Sequence, residues 1–328
     1  MATVMITGGT GLIGKALSQA LGKRGHQVVL LTRQPVKNVP AWDASAPLSY
    51  ALWNIRTGQF PAEVLPHTDY IIHLAGANVA KGRWTKRRKQ EIVRSRTVSG
   101  ALIVEVLRQH PNRVKAVIAA SAIGWYGPDA DERGGGTSGR SRRAGGSGPR
   151  PFVETDPAAE DFLGSTCKAW EESLAPLTTM GKRRVTLRTG IVLAREGGAF
   201  PSFAAPLRAG IAAILGGGGQ MISWIHIADL CRLYVQAIED PSMEGIYNAV
   251  APSPVSNKTL MLALARGLRG KFFIPVHVPA FLLKIALGEM SVEVLKSCTV
   301  DAHRIRKEGF QFIFPSIEAA VNDLIVRR

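Results

Sequence analysis

The chain has 328 residues, 46% hydrophobic and 20% charged, with a formal net charge of +16. That composition supports a large globular core and excludes a disordered or fibrous protein. No run of about 18 apolar residues free of charge and proline occurs, so neither a membrane-spanning segment nor a membrane partner is expected.

The first predicted element is a strand at "TVMIT", which runs directly into the glycines of "MITGGTGLIG". Gly8, Gly11 and Gly14 are spaced three apart, between this strand and an amphipathic helix expected from Leu12 to Arg24 and stopped by Gly25. The first glycine suits a tight turn, the second lets backbone approach a pyrophosphate, and the third lets the helix pack closely. A helix N-terminus adds free N–H groups and partial positive charge, which makes the turn a candidate dinucleotide site. It also arrives before any targeting region could fit, so a cytoplasmic protein is expected.

The second strand, "QVVLLT", ends at Thr32 and is followed by Arg33. A hydroxyl and a guanidinium stand where a carboxylate would bond the ribose of NAD, so NADP(H) is favoured over NAD(H). Asn54, after a third strand near "YALW", suits an adenine contact or an ordinary loop equally. A fourth strand, "YIIHLA", precedes a long helix from about Thr85 to Arg108, and a fifth lies at "VKAVIAAS". A helix beginning at "TDPAAEDF" has Asp156 as its expected N-cap and Pro157 at its first position. A single strand is expected over "RVTLRTGIVL". Beyond Pro252 come a helix at "NKTLMLALARGL", one strand at "KFFIPV" and shorter helices; "FFIPVHVPAFLLKIALGEM" reads as a strand, a turn and a buried helix.

This alternation predicts an α/β fold: a Rossmann-type doubly wound parallel sheet over residues 1–240 and a smaller C-terminal α/β substrate-side domain over 241–328. A small-molecule substrate would occupy the cleft between them. The basic stretch from Lys81 to Arg96 and the Arg/Gly/Ser run from Arg133 to Arg150 attract any polyanion, nucleotide phosphates included. The second run is low in complexity and expected to be a mobile loop; no aromatic residues interleave its arginines, which argues against nucleic acid as the partner. Cys167, Cys231 and Cys298 lack metal-ligand spacing, so buried thiols and no metal are expected.

The glycine turn, "HLAG" at His73, "SAIGWYG" at Ser121 and "SWIHIADL" at Ser223 together resemble the extended short-chain dehydrogenase/reductases. More narrowly, "SRT" at Ser95, "AWEE" at Ala169, "RTGIVL" at Arg188, "YNAVAPSPVSN" at Tyr247, "LGEM" and "GFQFIFPSIEAAV" resemble an atypical epimerase-like family with its own C-terminal extension. The resemblance implies cofactor contacts from Gly8, Thr10, Gly11, Leu12, Ile13 and Gly14 at the phosphate turn. It implies further contacts from Thr32 and Arg33 to the adenosine phosphate, from Leu74 and Ala75 at the end of the fourth strand, from Glu91 and Arg96 on the long helix, and from Val192 on the nicotinamide side. For the apolar positions a core role, and for Glu91 and Arg96 a salt-bridged helix face, are the competing readings.

Reductases of this kind usually carry a tyrosine with a lysine four residues on, because the ammonium helps the phenol move a proton. Here Gly164 takes the tyrosine's place while Lys168 remains. Ser121 matches the family serine that polarises a carbonyl, and Tyr126 lies on the same loop as a candidate proton donor; a turn whose aromatics cover the sheet edge is the alternative. His226 and Asp229 are expected to organise the domain junction. The resemblance thus implies an NADP(H)-dependent oxidoreductase or nucleotide-sugar-epimerase-like enzyme, with oligomerisation left open. The rival reading is a non-catalytic NADP(H)-binding structural or redox-sensing protein.

Overall fold

The structure, a computed structural model, describes residues 1–129 and 150–326. Of the Arg133 to Arg150 run only Arg150 falls within the described residues, where it pairs with Asp156 at 2.6 Å.

The chain opens with β1 (Thr3–Thr7), α1 (Leu12–Lys23), β2 (Gln27–Thr32), β3 (Leu48–Leu52) and β4 (Tyr70–His73). It continues through α2 (Lys86–Gln109), β5 (Ala116–Ala122), α3 (Phe162–Ser173), a short α4 (Pro176–Thr179) and β6 (Arg183–Thr189). Then come β7 (Ile191–Ala194), β8 (Gly197–Gly198), α5 (Phe200–Arg208), β9 (Ile211–Leu215), β10 (Met221–Ile222), β11 (Trp224–His226), α6 (Ile227–Glu239) and β12 (Gly245–Ala249). The last part holds β13 (Val255–Ser256), α7 (Asn257–Arg269), β14 (Ile274–Val278), α8 (Ala280–Leu287), α9 (Ser291–Leu295), α10 (His303–Lys307) and α11 (Ile317–Val326).

Seven of these strands form one parallel sheet in the order β12-β6-β5-β4-β1-β2-β3. Every residue of β1 is buried, as expected of a strand covered on both faces. The two-residue period splits that strand between two cores. Val4 and Ile6 pack with Leu17, Leu21, Leu230 and Leu233 on one side. Met5 packs with Val29, Ile71, Ile103 and Leu107 on the other.

A third core, including Leu193, Trp224, Leu264 and Val321, draws on chain from both sides of residue 240. β12, past that residue, belongs to the central sheet. Residue 240 therefore does not divide the cores; the chain passes more than once between two lobes, one around the central sheet and one around the third core.

Three expectations need correction. "RVTLRTGIVL" is two strands, because the chain turns at Gly190, where a Cβ would lie 2.7 Å from the Ser223 carbonyl oxygen and 2.9 Å from Val250. β6 stays in the central sheet while β7 pairs with β11. The helix after β5 begins at Phe162, capped by Asp161, whose carboxylate accepts from the Gly164 amide at 2.7 Å. Asp156 is instead occupied by Arg150 and by the Val153 amide. Finally, α8 is not buried: only Leu283 turns inward, while Phe281 and Ile285 are 61% and 65% exposed.

Candidate functional site

In the central sheet the strand order reverses at β1, flanked by β2 and β4, and the crevice at a parallel sheet's switch point is where such folds hold ligands. Gly8 follows β1 with φ +68°, a left-handed conformation that favours glycine. A Cβ on it would stand 3.0 Å from the carbonyl carbon of Leu74, so the turn lies against the end of β4. Gly14 rests on the turn itself, where a Cβ would meet the Gly9 Cα at 2.5 Å. Gly9 in turn admits the Leu30 side chain, a packing role that the three-residue spacing does not reveal.

Gly11 caps α1 with no side-chain hydrogen bond, and the first turn contains no acidic residue. Leu12 and Ile13 therefore begin a helix whose leading amides no capping side chain claims, with Thr10 and Gly11 exposed beside them. A bare main-chain cradle at the positive end of a helix dipole fits a diphosphate. The Leu12 side chain closes one wall, since a Cβ on Gly197 would touch it at 3.2 Å. Val192, half-buried on β7, lies in the strand leading to that wall.

A hydrogen-bond chain fixes the β4 end. Thr7 Oγ1 accepts from the amides of Leu74 and Ala75, both at 3.1 Å, and lies 2.8 Å from His73 Nδ1. With both of those amides donating, the threonine proton goes to Nδ1, so the neutral imidazole carries its proton on Nε2 and donates to Ser99 Oγ at 3.2 Å. Burial, reinforced by the Arg96 charge, holds the His73 pKa down to about 3. The backbone of Leu74 and Ala75 is thus set by an uncharged network.

At the far edge, Thr32 Oγ1 donates to the Gln34 carbonyl at 2.9 Å, and Arg33 is exposed on the adjacent loop. Asn54 closes its own turn by accepting from the Arg56 amide at 3.0 Å. Glu91 is exposed and paired with Arg88 at 2.6 Å. Arg96 differs from it: its guanidinium donates to the carbonyls of Ala77 and Ile92, lies over Trp170 at 4.9 Å and stands against Gly76. Arg96 makes no carboxylate ion pair among the described residues, which leaves a cation beside the loop after β4.

The second half of the site is a buried polar cluster around the end of β5. Ser121 Oγ donates to Glu171 Oε1 at 2.7 Å. Arg188 donates to both oxygens of the same carboxylate, sharing Oε1 with Ser121, and also donates to the Tyr126 hydroxyl at 3.1 Å and the Glu154 carbonyl at 3.0 Å. The Tyr126 hydroxyl donates to Asn248 Oδ1 at 2.6 Å, and its ring has no exposed surface, whereas Ser121 retains 4%. Burial raises the Tyr126 pKa above that of an ordinary phenol, against the pull of the nearby Arg188 charge. Glu171 and Arg188 carry no obvious sequence signal, being separated on a helix and a strand; only the "AWEE" and "RTGIVL" motifs contain them.

The structure also explains the missing tyrosine. A Cβ on Gly164 would overlap the backbone of Ala159, so no side chain fits at that position. Lys168 points to solvent and lies 4.0 Å from Glu172. At the lobe junction, the two carboxylate oxygens of Asp229 accept the amides of Ile313 and Phe314, each at 2.9 Å, tying α6 to the segment before α11. Cys167, Cys231 and Cys298 are all buried.

Residues 4–142 match the model of the NAD dependent epimerase/dehydratase family, and residues 278–324 match a domain of unknown function, DUF1731. The epimerase family protein YfhF of Bacillus subtilis is 31% identical over 326 residues, covering 99% of this chain and 98% of that one. The human epimerase family protein SDR39U1 is 29% identical over 326 residues, covering 98% of this chain and 99% of that one. The crystal structure of human SDR39U1 (isoform 2) with NADPH superposes with a TM-score of 0.82 at 27% identity, covering 99% of this chain and 100% of that chain. A nucleoside-diphosphate sugar epimerase from Corynebacterium glutamicum gives 0.71 at 28% identity, with 99% of this chain matched to 58% of that one. With its central sheet, its glycine turn and a full-length relative above 30% identity, the chain belongs to the epimerase family, in the branch that joins an NAD-dependent epimerase/dehydratase domain to a DUF1731 domain.

Proposed function

We propose that this protein is an NADP(H)-dependent oxidoreductase or epimerase-like enzyme acting on a small hydroxyl- or carbonyl-bearing substrate at the C-terminal edge of the central sheet. The observation that carries the reading is the turn at the switch point, where Gly8 and Gly14 pack so closely on neighbouring backbone that no Cβ fits and the start of α1 carries no capping side chain. The NADPH in the human SDR39U1 crystal structure supports the choice of cofactor. Arg33 would meet the 2′-phosphate, and Thr10, Gly11, Leu12 and Ile13 the diphosphate. Leu74, Ala75 and Val192 would flank the ring half, with Arg96 as the cation on the loop side.

When bound, the nicotinamide accepts or returns a hydride at the substrate carbon. Ser121 then takes the substrate hydroxyl proton as its own passes to Glu171 Oε1, so the proton given up by the alcohol ends on the carboxylate; reduction runs the same path backwards. Arg188 holds Glu171 in position through its paired hydrogen bonds. Tyr126, enclosed and engaged by Asn248 and Arg188, serves as a positioning residue that braces this arrangement. The test is tryptophan-fluorescence titration with NADPH and NADH, followed by nicotinamide absorbance over a panel of carbonyl compounds and nucleotide sugars. Saturable, NADPH-selective binding with turnover supports the enzyme. Tight binding without any turnover favours the rival reading of a structural or redox-sensing protein, for which the closed Gly164 position speaks. No saturable signal on folded protein removes both.

A further inference from the structure

We infer that the surface formed by β9, β14 and α8 is a docking site for an anionic lipid bilayer, engaged peripherally and without insertion of a helix. β9 and β14 pair in parallel register as a separate two-stranded sheet. Opposed residues in such a pair share a face, which puts Ile211, Ala213 and Leu215 beside Ile274, Val276 and Val278. The other face of β9 enters the third core through Ala212 and Ile214, so this face is the outer one. Ile211, Ile274 and Val276 are exposed, and so is Phe272 just before the pair. α8, which follows β14 directly after Pro279, leaves Phe281, Leu282 and Ile285 exposed. Large apolar side chains concentrated in this way mark an interaction surface.

The charge around the patch selects its occupant. No aspartate or glutamate occurs between Glu244 and Glu289, whereas Arg266, Arg269, Lys271 and Lys284 do, and all four are exposed. The basic stretch after β4 and into α2 reaches this helix and its end: Arg83 donates to the Ile285 carbonyl of α8, and Lys89 of α2 pairs with Glu289 just beyond α8. Lys81, Lys86 and Arg87, exposed on that segment, extend the cationic border. Apolar side chains flanked by lysine and arginine match the headgroup boundary of an anionic bilayer. A second copy fits poorly, because a two-fold contact sets each patch against its twin and brings like charges together. Strand addition at the free edge of β14 is opposed by Pro275, which offers no N–H. No described helix is long and apolar enough to span a membrane, so contact would be confined to the surface; the expectation of no membrane partner rested on spanning runs alone and does not extend to this peripheral contact.

The experiment is sedimentation of the full chain with vesicles of phosphatidylcholine alone, or of phosphatidylcholine with about one third phosphatidylserine. Binding is expected only to the mixed vesicles and is expected to weaken as salt rises. The pair Phe281→Ser and Ile285→Ser, and separately Lys271→Glu with Lys284→Glu, should each reduce binding by roughly tenfold or more. Lys23→Glu, at the opposite end of α1 from the glycine turn, should change it little. Unaltered NADPH titration and thermal melting would establish that the variants are folded. Equal binding to both vesicle types, an equal loss with Lys23→Glu, or a dimer in sedimentation velocity that the Phe281/Ile285 pair disperses without any vesicle binding would each overturn the proposal.

Discussion

Arg188 binds Glu171 through two parallel hydrogen bonds, Nε to Oε1 at 2.9 Å and Nη2 to Oε2 at 3.0 Å, with the two side chains only 1% and 7% exposed. Removing either partner leaves the other charge buried without its counter-charge. Arg188→Met should therefore cost about 3–5 kcal/mol in urea denaturation. Combining it with Glu171→Leu should recover much of that loss, because an apolar pair of similar volume escapes the desolvation penalty. A double variant no more stable than Arg188→Met alone would show that the pair does not act as a unit.

Glu171→Gln addresses the chemistry. The amide retains the shape of the carboxylate and can still accept from Ser121, but it cannot take up a proton near neutral pH. Turnover should fall by about 10²-fold or more, in line with losing a general base, while NADPH affinity is retained. A parallel loss of NADPH binding would point to a structural cause.

Gly164→Tyr restores the tyrosine-lysine spacing of ordinary short-chain reductases on paper. In this fold the new side chain meets the Ala159 backbone, and Lys168 faces solvent. The substitution should destabilise by about 1–3 kcal/mol or more through overpacking, and should add no turnover. Lys168→Ala should leave both the melting temperature and turnover unchanged, which thermal melts and absorbance assays can check side by side.

Arg33→Glu places a carboxylate where the 2′-phosphate would lie. NADPH binding should weaken by about 1.5–3 kcal/mol or more, with NADH affinity little affected. Isothermal titration with both nucleotides measures the difference directly, and equal losses for the two would remove Arg33 from the phosphate site.

His73 gives the protein a defined acid limb. Its pKa is 6.5 when unfolded and is held down to about 3 in the folded chain, first by burial and then by Arg96. Between those values the unfolded state binds the extra proton, so stability rises with pH across the window and is lost as pH falls below 6.5. The slope approaches about 1.4 kcal/mol per pH unit, or about 2 kcal/mol by pH 5. His73→Gln should flatten this limb in denaturation curves collected at several pH values, whatever it costs at neutrality.

The strand–glycine turn–helix unit was legible in the sequence because its signals are local: an apolar strand, three spaced glycines and an amphipathic helix lie within one short stretch. The NADP(H) preference rested on Thr32 and Arg33 at a strand end, another local feature. Non-local demands were hidden. Gly190 breaks a strand because of Ser223 and Val250, which approach it only in the folded chain. Asp156 followed by Pro157 is a sound helix start by local rules, yet the Asp156 side chain serves Arg150 and Val153 instead. Tyr126 looked available beside Ser121 because sequence proximity does not reveal enclosure by Asn248 and Arg188. The apolar run of α8 suggested burial, since composition alone cannot tell an inner helix from one left facing outward.

The passage through Gly190 bears on how the molecule moves. Its amide donates to Ala249 in the central sheet at 3.1 Å, and the next amide, of Ile191, donates to Ser223 in the other lobe at 2.9 Å. The lobes are consequently riveted at this joint, with no slack backbone to swing on. Hydrogen exchange at Leu193 and Ile225, whose amides face each other's strand across the β7–β11 pairing, should stay slow whether or not nucleotide is present.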